Sequence, residues 1–121
     1  PQFTAQALER RLADPDSDAY ALLPVLRRAL AERAVHPALH PDAPMTVLSA
    51  DRSDCVILRR SRGGETLVAV HNITAARLSF RLRGLGGDLN QPWADCLSGH
   101  VFEPHQSHSL EPYAVHWLVQ P

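Results

Sequence analysis

Three closely spaced prolines divide this sequence into a helical part and a strand-rich part. The segment HPALHPDAP at residues 36–44 contains Pro37, Pro41 and Pro44. Each proline lacks an amide donor, and it disfavours the helical region for the residue before it. A helix cannot run through such a segment, so we expect an extended, non-helical connector. The patterns on its two sides predict two regions, residues 1–44 and 45–121.

Two helices are predicted before the connector. Thr4 is a suitable N-cap for a helix over residues 5–13. A second helix, capped by Ser17 or Asp18, carries apolar residues at spacings of three and four, which form one stripe. The stripe comprises Leu23, Leu26, Leu30 and Ala34. Pro24 lies within this helix and predicts a kink or a break, because it removes a hydrogen bond and crowds the preceding turn.

After the connector, short β-branched and aromatic runs alternate with turn residues. Strands are predicted at residues 45–49, 55–60, 65–73, 77–83, 93–97, 101–103, 107–110 and 113–119. Arg62-Gly63-Gly64 and Ser98-Gly99 are typical of hairpin turns. This number and spacing of strands predict a mainly β fold, an antiparallel β-sandwich preceded by two α-helices.

The apolar pattern inside the strands predicts which faces are buried. In residues 77–83 the apolar Leu78, Phe80 and Leu82 alternate with polar residues, as expected of a strand with one face in water. Two other strands are apolar on both faces. The first has Leu67, Ala69 and Ile73 opposite Val68 and Val70; the second has Tyr113, Val115, Trp117 and Val119 opposite Ala114 and Leu118.

A strand that is apolar on both faces needs a second layer outside the sandwich. The two helices supply only part of such a layer. We therefore expect the β region to dock against something larger, and we expect Tyr113, Val115 and Trp117 to face inward.

Charge and cysteine content limit the partners. The 13 acidic residues almost balance the 12 basic ones, which are all arginine and form no basic tract, so we expect no nucleic-acid partner. The apolar runs are too short to span a bilayer, so we expect no membrane partner. Cys55 and Cys96 are predicted to be free, buried thiols, which favours a reducing, cytoplasmic compartment.

The histidines raise the question of a metal site. His105 and His108, followed by Glu111, are faintly similar to the first metal-binding motif of cupins. Cupins have His-x-His, whereas histidines three residues apart point to opposite faces of a regular strand. His36 and His40 lie in the proline-rich connector, where the two-ligand geometry of a helix does not apply. We predict no metal or cofactor site, and a cupin-like metal-binding domain remains the second alternative.

Signatures of catalysis are also missing from the sequence. No serine lies in a G-x-S-x-G elbow, and neither cysteine lies in a known cysteine–histidine signature. Most acidic residues fall in predicted caps and turns, where they bond to the backbone. We therefore predict no catalytic residue.

Aromatic residues offer one alternative function, a carbohydrate-binding module. Trp93, Tyr113 and Trp117 could provide flat faces on which a sugar ring stacks. Trp117 shares a strand face with Tyr113 and Val115, which favours packing for those residues. Trp93 is the only residue that we retain as a candidate sugar contact.

Taken in order, the chain resembles the C-terminal end of glycoside hydrolase family 13, the α-amylase superfamily, and most closely its sucrose phosphorylase-like subfamily. The residues that carry the resemblance are LLPVLRRALAERAVHPALHPDAP (22–44), LVAVHNIT (67–74), WADCLSG (93–99) and LEPYAVHWLV (110–119). In that family a last barrel helix and a His-Pro-Ala-Phe-like tag lead into an all-β C-terminal domain. This sequence has Leu39 where the family often has Phe, and Cys96 where it often has Leu.

The resemblance implies a Greek-key β-sandwich that packs against the catalytic (β/α)8 barrel of a parent chain. The aspartate nucleophile, the glutamate acid/base and the third aspartate of the family lie on barrel strands, which would precede Pro1. The resemblance therefore implies no catalytic residue in this chain. The parent would cleave or transfer an α-glucosyl unit of sucrose or an α-glucan, and in the phosphorylase-like branch it would do so without a metal. The sequence leaves open whether it phosphorolyses, hydrolyses or transglycosylates, and in what oligomeric state.

Overall fold

The computed structural model describes residues 4–49 and 51–121, and its elements follow the predicted order. Two helices, α1 (Ala5–Ala13) and α2 (Asp18–Val35), precede the connector. The strands are β1 (Met45–Val47), β2 (Cys55–Arg62), β3 (Glu65–Asn72), β4 (Leu78–Arg81), β5 (Trp93–Asp95), β6 (Val101–Phe102), β7 (Ser107–Leu110) and β8 (Val115–Val119). Short 3-10 turns occupy Pro37–Leu39 and Leu82–Leu85.

Both helices begin at the predicted caps. The Thr4 side chain accepts a hydrogen bond from the amide of Ala7 at 3.1 Å, and the Ser17 side chain accepts one from the amide of Tyr20 at 3.1 Å. Of the kink or break expected at Pro24, the break is wrong, because α2 runs continuously from Asp18 to Val35, and the kink stays a prediction. The intact turns on both sides and the capped start offset the loss of one backbone bond.

The connector departs from the extended conformation that its prolines predict. Residues Pro37–Leu39 form a 3-10 turn, in which the amide of His40 donates to the carbonyl of Pro37 at 3.0 Å. A proline is tolerated at the first position of a turn because its missing amide would have no partner there. The next amide, of Ala38, donates to Glu65 Oε1 at 3.2 Å, so a distant carboxylate holds the turn.

The strands form two antiparallel sheets. The large sheet has the order β1-β2-β3-β8-β5-β6, and β4 pairs with β7 in a small second sheet. The chain leaves the large sheet after β3 and again after β6, and β8 then returns to lie between β3 and β5. The predicted mainly β sandwich preceded by two helices is confirmed.

Glycines close the tightest connection of the large sheet. β2 and β3 pair from Cys55 opposite Asn72 to Arg62 opposite Glu65, which leaves Gly63 and Gly64 as a two-residue loop. Their φ angles are +61° and +79°. Positive φ at both loop positions is the geometry of a type I′ hairpin, which glycine adopts without strain.

The main core lies between the two sheets. Its buried side chains are Cys55, Ile57, Val68, Val70, Phe80, Leu82, Leu85, Trp93, Phe102, Leu110 and Leu118. A second cluster lies on the opposite, outer face of the large sheet and contains Ala38, Leu67, Ala69 and Cys96. Strand β3 therefore contributes to both clusters, which confirms the prediction that it is buried on both faces.

The second cluster covers the outer face of the large sheet at one end only. Three apolar residues that the strand pattern placed on buried faces are therefore exposed. Tyr113 is 66% exposed and Val115 is 41% exposed, although both were expected to face inward, and Ile73 is also exposed. Tyr113 lies in the turn before β8, with a φ of +56°, and not in the strand. Ala38 of the connector packs with Leu67 and Ala69 in the second cluster, which does not include Ile73 or Val115. Trp117 is partly buried in the second cluster.

Other burial predictions are confirmed. Leu78, Phe80 and Leu82 face the main core, whereas Ser79 and Arg81 between them are exposed. Cys55 and Cys96 are free and buried.

Within the described residues, neither helix combines the length and the apolar character that a membrane crossing requires.

A matched pair of valines tests the burial assignment. We expect Val70→Ala, which empties space in the main core, to lower the free energy of unfolding by about 2 to 3 kcal/mol. Val115→Ala, on the neighbouring strand, removes the same atoms from a partly exposed site, and its effect should stay below about 1 kcal/mol. Urea titration followed by circular dichroism measures both. Equal losses would contradict the assignment.

Candidate functional site at the helix–sheet junction

One side of α2 meets the large sheet through charged side chains. Arg28, Glu32 and His36 occur at intervals of four residues and therefore lie along one side of the helix. His36 Nε2 lies 2.9 Å from Glu32 Oε2, and its Nδ1 lies 2.8 Å from Glu65 Oε2 at the start of β3. Arg28 Nε lies 3.0 Å from Glu32 Oε1. These four side chains, Arg28, Glu32, His36 and Glu65, are called the junction cluster below.

Two arginines bind backbone carbonyls at the same place. Arg28 donates to the carbonyl of Cys96 from Nε at 3.0 Å and from Nη2 at 2.7 Å, so it ties α2 to the turn after β5. Arg60 of β2 donates to the carbonyls of Ala38 and His40 at 3.0 and 2.7 Å, so it ties the connector to the sheet. Charge-assisted bonds of this kind are stronger than neutral ones. They fix where the last helix leaves the sandwich.

The junction cluster shifts the protonation of two groups. Burial alone would lower the pKa of His36, but the hydrogen bonds with Glu65 and Glu32 and their negative charges raise that pKa above its ordinary value. The imidazolium form is therefore favoured between the two carboxylates. Burial raises the pKa of the neighbouring Cys96 thiol to about 11, and the charge of Glu32 adds to the increase. A free Cys96 is therefore protonated.

The same place holds the side chains with a metal-ligand geometry. Glu32, His36 and Cys96 offer an oxygen, a nitrogen and a sulfur atom that lie within 4.8 Å of one another. Among the described residues, His105, His108 and Glu111 form no such group. The cupin-like arrangement is therefore not formed.

The opposite side of α2 is apolar and exposed. Neither α1 nor α2 contains a buried residue. Large apolar side chains, among them Leu22, Leu26 and Leu30, have more than half of their surface in water, and Leu30 is 63% exposed. The helix thus points its charged side at the sheet and its apolar side at solvent, the reverse of an ordinary amphipathic surface helix.

A second polar network holds the turn between β5 and β6. Asp95 is buried, and its Oδ1 accepts from the amides of Leu97 and Trp117 at 3.0 and 2.9 Å. Its Oδ2 accepts from Ser98 Oγ at 2.7 Å and lies 2.8 Å from His116 Nδ1. Burial alone would raise the pKa of Asp95, but these four hydrogen bonds lower it.

This network is not a catalytic triad. Ser98 and His116 both bond to the same oxygen of Asp95, and a nucleophile must instead bond to the histidine that takes its proton. The Asp95 carboxylate accepts hydrogen bonds from Leu97 and Ser98 of the turn, and its bonds with His116 and Trp117 join the turn to β8. Sequence reasoning did not anticipate this network, because it placed Asp95 inside a predicted strand over residues 93–97.

A shallow cleft lies near the small sheet. Its volume is about 280 Å³, and its polar lining includes Arg81, Arg83, Gln91, His105 and Gln106. His105 has a φ of +65°, unusual for a residue with a side chain, and its Nε2 lies 3.1 Å from Asn90 Oδ1. The cleft collects side chains that can bond to sugar hydroxyls.

Trp93 does not provide the stacking face that sequence reasoning gave it. It is 2% exposed and packs in the main core, although it is among the residues around the cleft. A sugar ring needs an open aromatic face. The burial of Trp93 in the main core favours packing over stacking, and the candidate sugar contact at this residue stays a prediction.

Sequence reasoning missed most of the junction cluster. It gave Arg28 and Glu32 no part in any site and assigned His36 to the connector. The spacing of Arg28, Glu32 and His36 was a visible signal, because residues four apart share one side of a helix. Glu65 gave no signal, because nothing in the sequence shows that the start of β3 lies beside the end of α2.

The fold and the junction define a β-sandwich domain with an attached pair of helices whose apolar side is free. No protein-family profile matches the sequence. The glucosylglycerate phosphorylase of Allomeiothermus silvanus is 36% identical over 73 residues, which is 60% of this chain and 13% of that protein.

Solved structures share the fold. The trehalulose synthase MutB of Pseudomonas mesoacidophila MX-45 matches 93% of this chain with a TM-score of 0.69 at 22% identity, using 19% of its own chain. An Anoxybacillus α-amylase matches 92% with a TM-score of 0.69 at 17% identity, using 24% of its chain. AmyP, in complex with maltose, matches 74% with a TM-score of 0.64 at 22% identity, using 18% of its chain.

The resemblance to the C-terminal region of glycoside hydrolase family 13 is therefore confirmed, in sequence by the phosphorylase and in fold by the amylase and the synthase. This chain spans about a quarter or less of each of these proteins.

Asp95 provides a test of the turn network. We expect Asp95→Ala to lower the free energy of unfolding by about 3 kcal/mol, because it leaves two partly buried amides without their acceptor and removes the bonds to Ser98 and His116. Ser98→Ala removes one bond of the same network and should cost about 1 kcal/mol. Chemical denaturation measures both, and similar small losses would show that Asp95 is not what holds the turn.

Proposed function

We propose that this chain is the non-catalytic C-terminal β-sandwich of a glycoside hydrolase family 13 enzyme, together with the last helices of its catalytic barrel. The sandwich would pack against the barrel and stabilise it. The helical segment of residues 1–44 would belong to the barrel and the connector, and residues 45–121 would form the auxiliary domain. A cytoplasmic location remains part of this proposal.

The observation that carries the proposal is the orientation of α2. Its leucines point into water, although burying one such side chain is favourable by about 1.5 to 3 kcal/mol. At the same time the junction cluster holds the other side of the helix against the sheet. When polar contacts hold one side of a helix and its apolar side stays in water, we expect another layer of protein to cover the apolar side. The outer helices of a barrel cover each other in this way.

The outer face of the large sheet supports the same arrangement. Ile73, Val115 and Tyr113 are exposed beyond the end of the second cluster. Clustered exposed apolar residues mark an interaction surface more often than scattered ones do. With the leucines of α2, they give the barrel two areas to contact.

The activity that we propose for the parent is supported by the name of the sequence relative, a glucosylglycerate phosphorylase. We propose that the parent transfers or hydrolyses an α-glucosyl unit, and that its catalytic acids lie on barrel strands. On this proposal the described residues contribute stability and no reacting group.

A polar substitution on the free side of α2 tests the docking. In the isolated chain Leu30→Gln should change the free energy of unfolding by no more than about 0.5 kcal/mol, because Leu30 is exposed and Gln is a good helix former. In a parent enzyme that contains the barrel, the same change should lower the melting temperature by several degrees.

Ala31→Gln is the matched control, because Ala31 is exposed and lies about 100° around the helix from Leu30. It should have little effect in either protein. A Leu30→Gln enzyme that melts with the unchanged enzyme would contradict the proposal.

A second candidate function, sugar binding, is favoured only by the polar cleft. On the main proposal, the isolated chain gives no turnover with sucrose plus phosphate or with maltodextrin, and no heat of binding with millimolar maltooligosaccharides. Heat that disappears in Gln106→Ala would instead assign a carbohydrate-binding role to the cleft. Glucosyl transfer by the isolated chain would contradict both.

A further inference from the structure

We propose that Glu32, His36 and Cys96 form a binding site for a divalent transition metal, with Zn²⁺ as the preferred ion. The site lies at the end of α2, between the helix and the turn after β5. It is independent of the proposed function, because it depends only on side chains that the described residues bring together.

The geometry of the three ligands fits a zinc ion. Glu32 lies in the last turn of α2, and His36, four residues on, is its C-cap, whose amide still donates to the carbonyl of Glu32, so the two side chains come to the same side of the helix end. Cys96 comes from the turn after β5 and is buried. Their donor atoms lie within 4.8 Å of one another. Tetrahedral coordination with bonds of about 2.0 to 2.3 Å places ligand atoms about 3.5 Å apart, so modest side-chain rotations would close the site around an ion.

The surrounding residues supply the outer contacts that metal ligands need. Glu65 Oε2 lies 2.8 Å from His36 Nδ1, which orients the ring and leaves Nε2 toward Glu32 and Cys96. Zinc-binding histidines commonly have such a carboxylate on their other nitrogen. Arg28 holds Oε1 of Glu32, so Oε2 is directed toward His36.

Charge balance favours the same ion. A proton on His36 Nε2 accounts for its 2.9 Å bond to Glu32, and the metal would take the place of that proton. Coordination also removes the proton of the Cys96 thiol. The two carboxylates and the thiolate are then balanced by the divalent ion and the guanidinium of Arg28. A combination of sulfur, nitrogen and oxygen ligands suits Zn²⁺, whereas Mg²⁺ and Ca²⁺ select oxygen alone.

Three protein ligands leave one tetrahedral position for water. The ion would join the last helix to the sandwich more rigidly than the ion pairs do, because it would connect α2 directly to the turn after β5. The expected consequence is a metal-dependent increase in the stability of the junction.

Metal titration of the purified protein, treated with a chelator and kept in a reductant that contains no thiol, tests the site. We expect one equivalent of Zn²⁺ to bind with a dissociation constant in or below the micromolar range, and no heat with Mg²⁺. Co²⁺ in place of Zn²⁺ should give a near-ultraviolet absorption band from cobalt–thiolate charge transfer, which surface histidines cannot produce.

The two buried cysteines provide a matched control. Cys96→Ser should abolish the cobalt–thiolate band and weaken Zn²⁺ binding at least tenfold, whereas Cys55→Ser should leave both unchanged. Glu65→Gln should weaken binding about tenfold or more through the orientation of His36.

Three results would overturn the site. They are no stoichiometric Zn²⁺ binding by the unmutated protein, binding without a cobalt–thiolate band, which would show an adventitious ion only, and a band that survives Cys96→Ser. Even if a variant fails to fold, the presence or absence of the cobalt–thiolate band in the unmutated protein tests the site.

Discussion

The burial of strand β3 on both faces is the constraint on which the rest of the structure depends. Val68 and Val70 face the core between the sheets, and Leu67 and Ala69 face a second cluster outside it. A sandwich whose central strand is apolar on both sides needs a further layer. The connector after α2 supplies the first part of that layer, and this places the last helix beside the start of β3.

The junction cluster fixes the orientation of α2 beside the start of β3. Because Glu65 binds both His36 and the amide of Ala38, the end of α2 and the connector cannot move independently of β3. Arg28 adds a contact to the turn after β5. Three separate parts of the chain therefore meet at one polar point, and the leucines of α2 are left facing outward. The exposed apolar side is a consequence of how the helix is held, and it is the main reason to propose a covering barrel.

Local rules were enough to predict the elements of this fold but not their contacts. The caps at Thr4 and Ser17 and the Gly63-Gly64 hairpin follow from residue type, and the structure confirms them. The alternation of residues 77–83 likewise predicted a half-buried strand, which the structure has over Leu78–Arg81, with a 3-10 turn after it. Val115 was assigned wrongly because alternation shows which residues share a face, and not how far along that face a covering layer extends. Tyr113 was assigned wrongly because the strand begins only at Val115. The junction cluster could not be predicted, since Glu65 and Cys96 come beside α2 only through the order of the strands.

Hydrogen exchange of the α2 amides tests the central claim, that the helices depend on a layer supplied by the barrel. In the isolated chain, amides of Asp18–Val35 should exchange much faster than those of residues 67–70, because no residue of α2 is buried and an unsupported helix of this length is marginally stable. In a parent enzyme that contains the barrel, the two groups should be protected to a similar degree. Equal protection in the isolated chain would contradict the account, since it would show that the helices are stable without any covering layer.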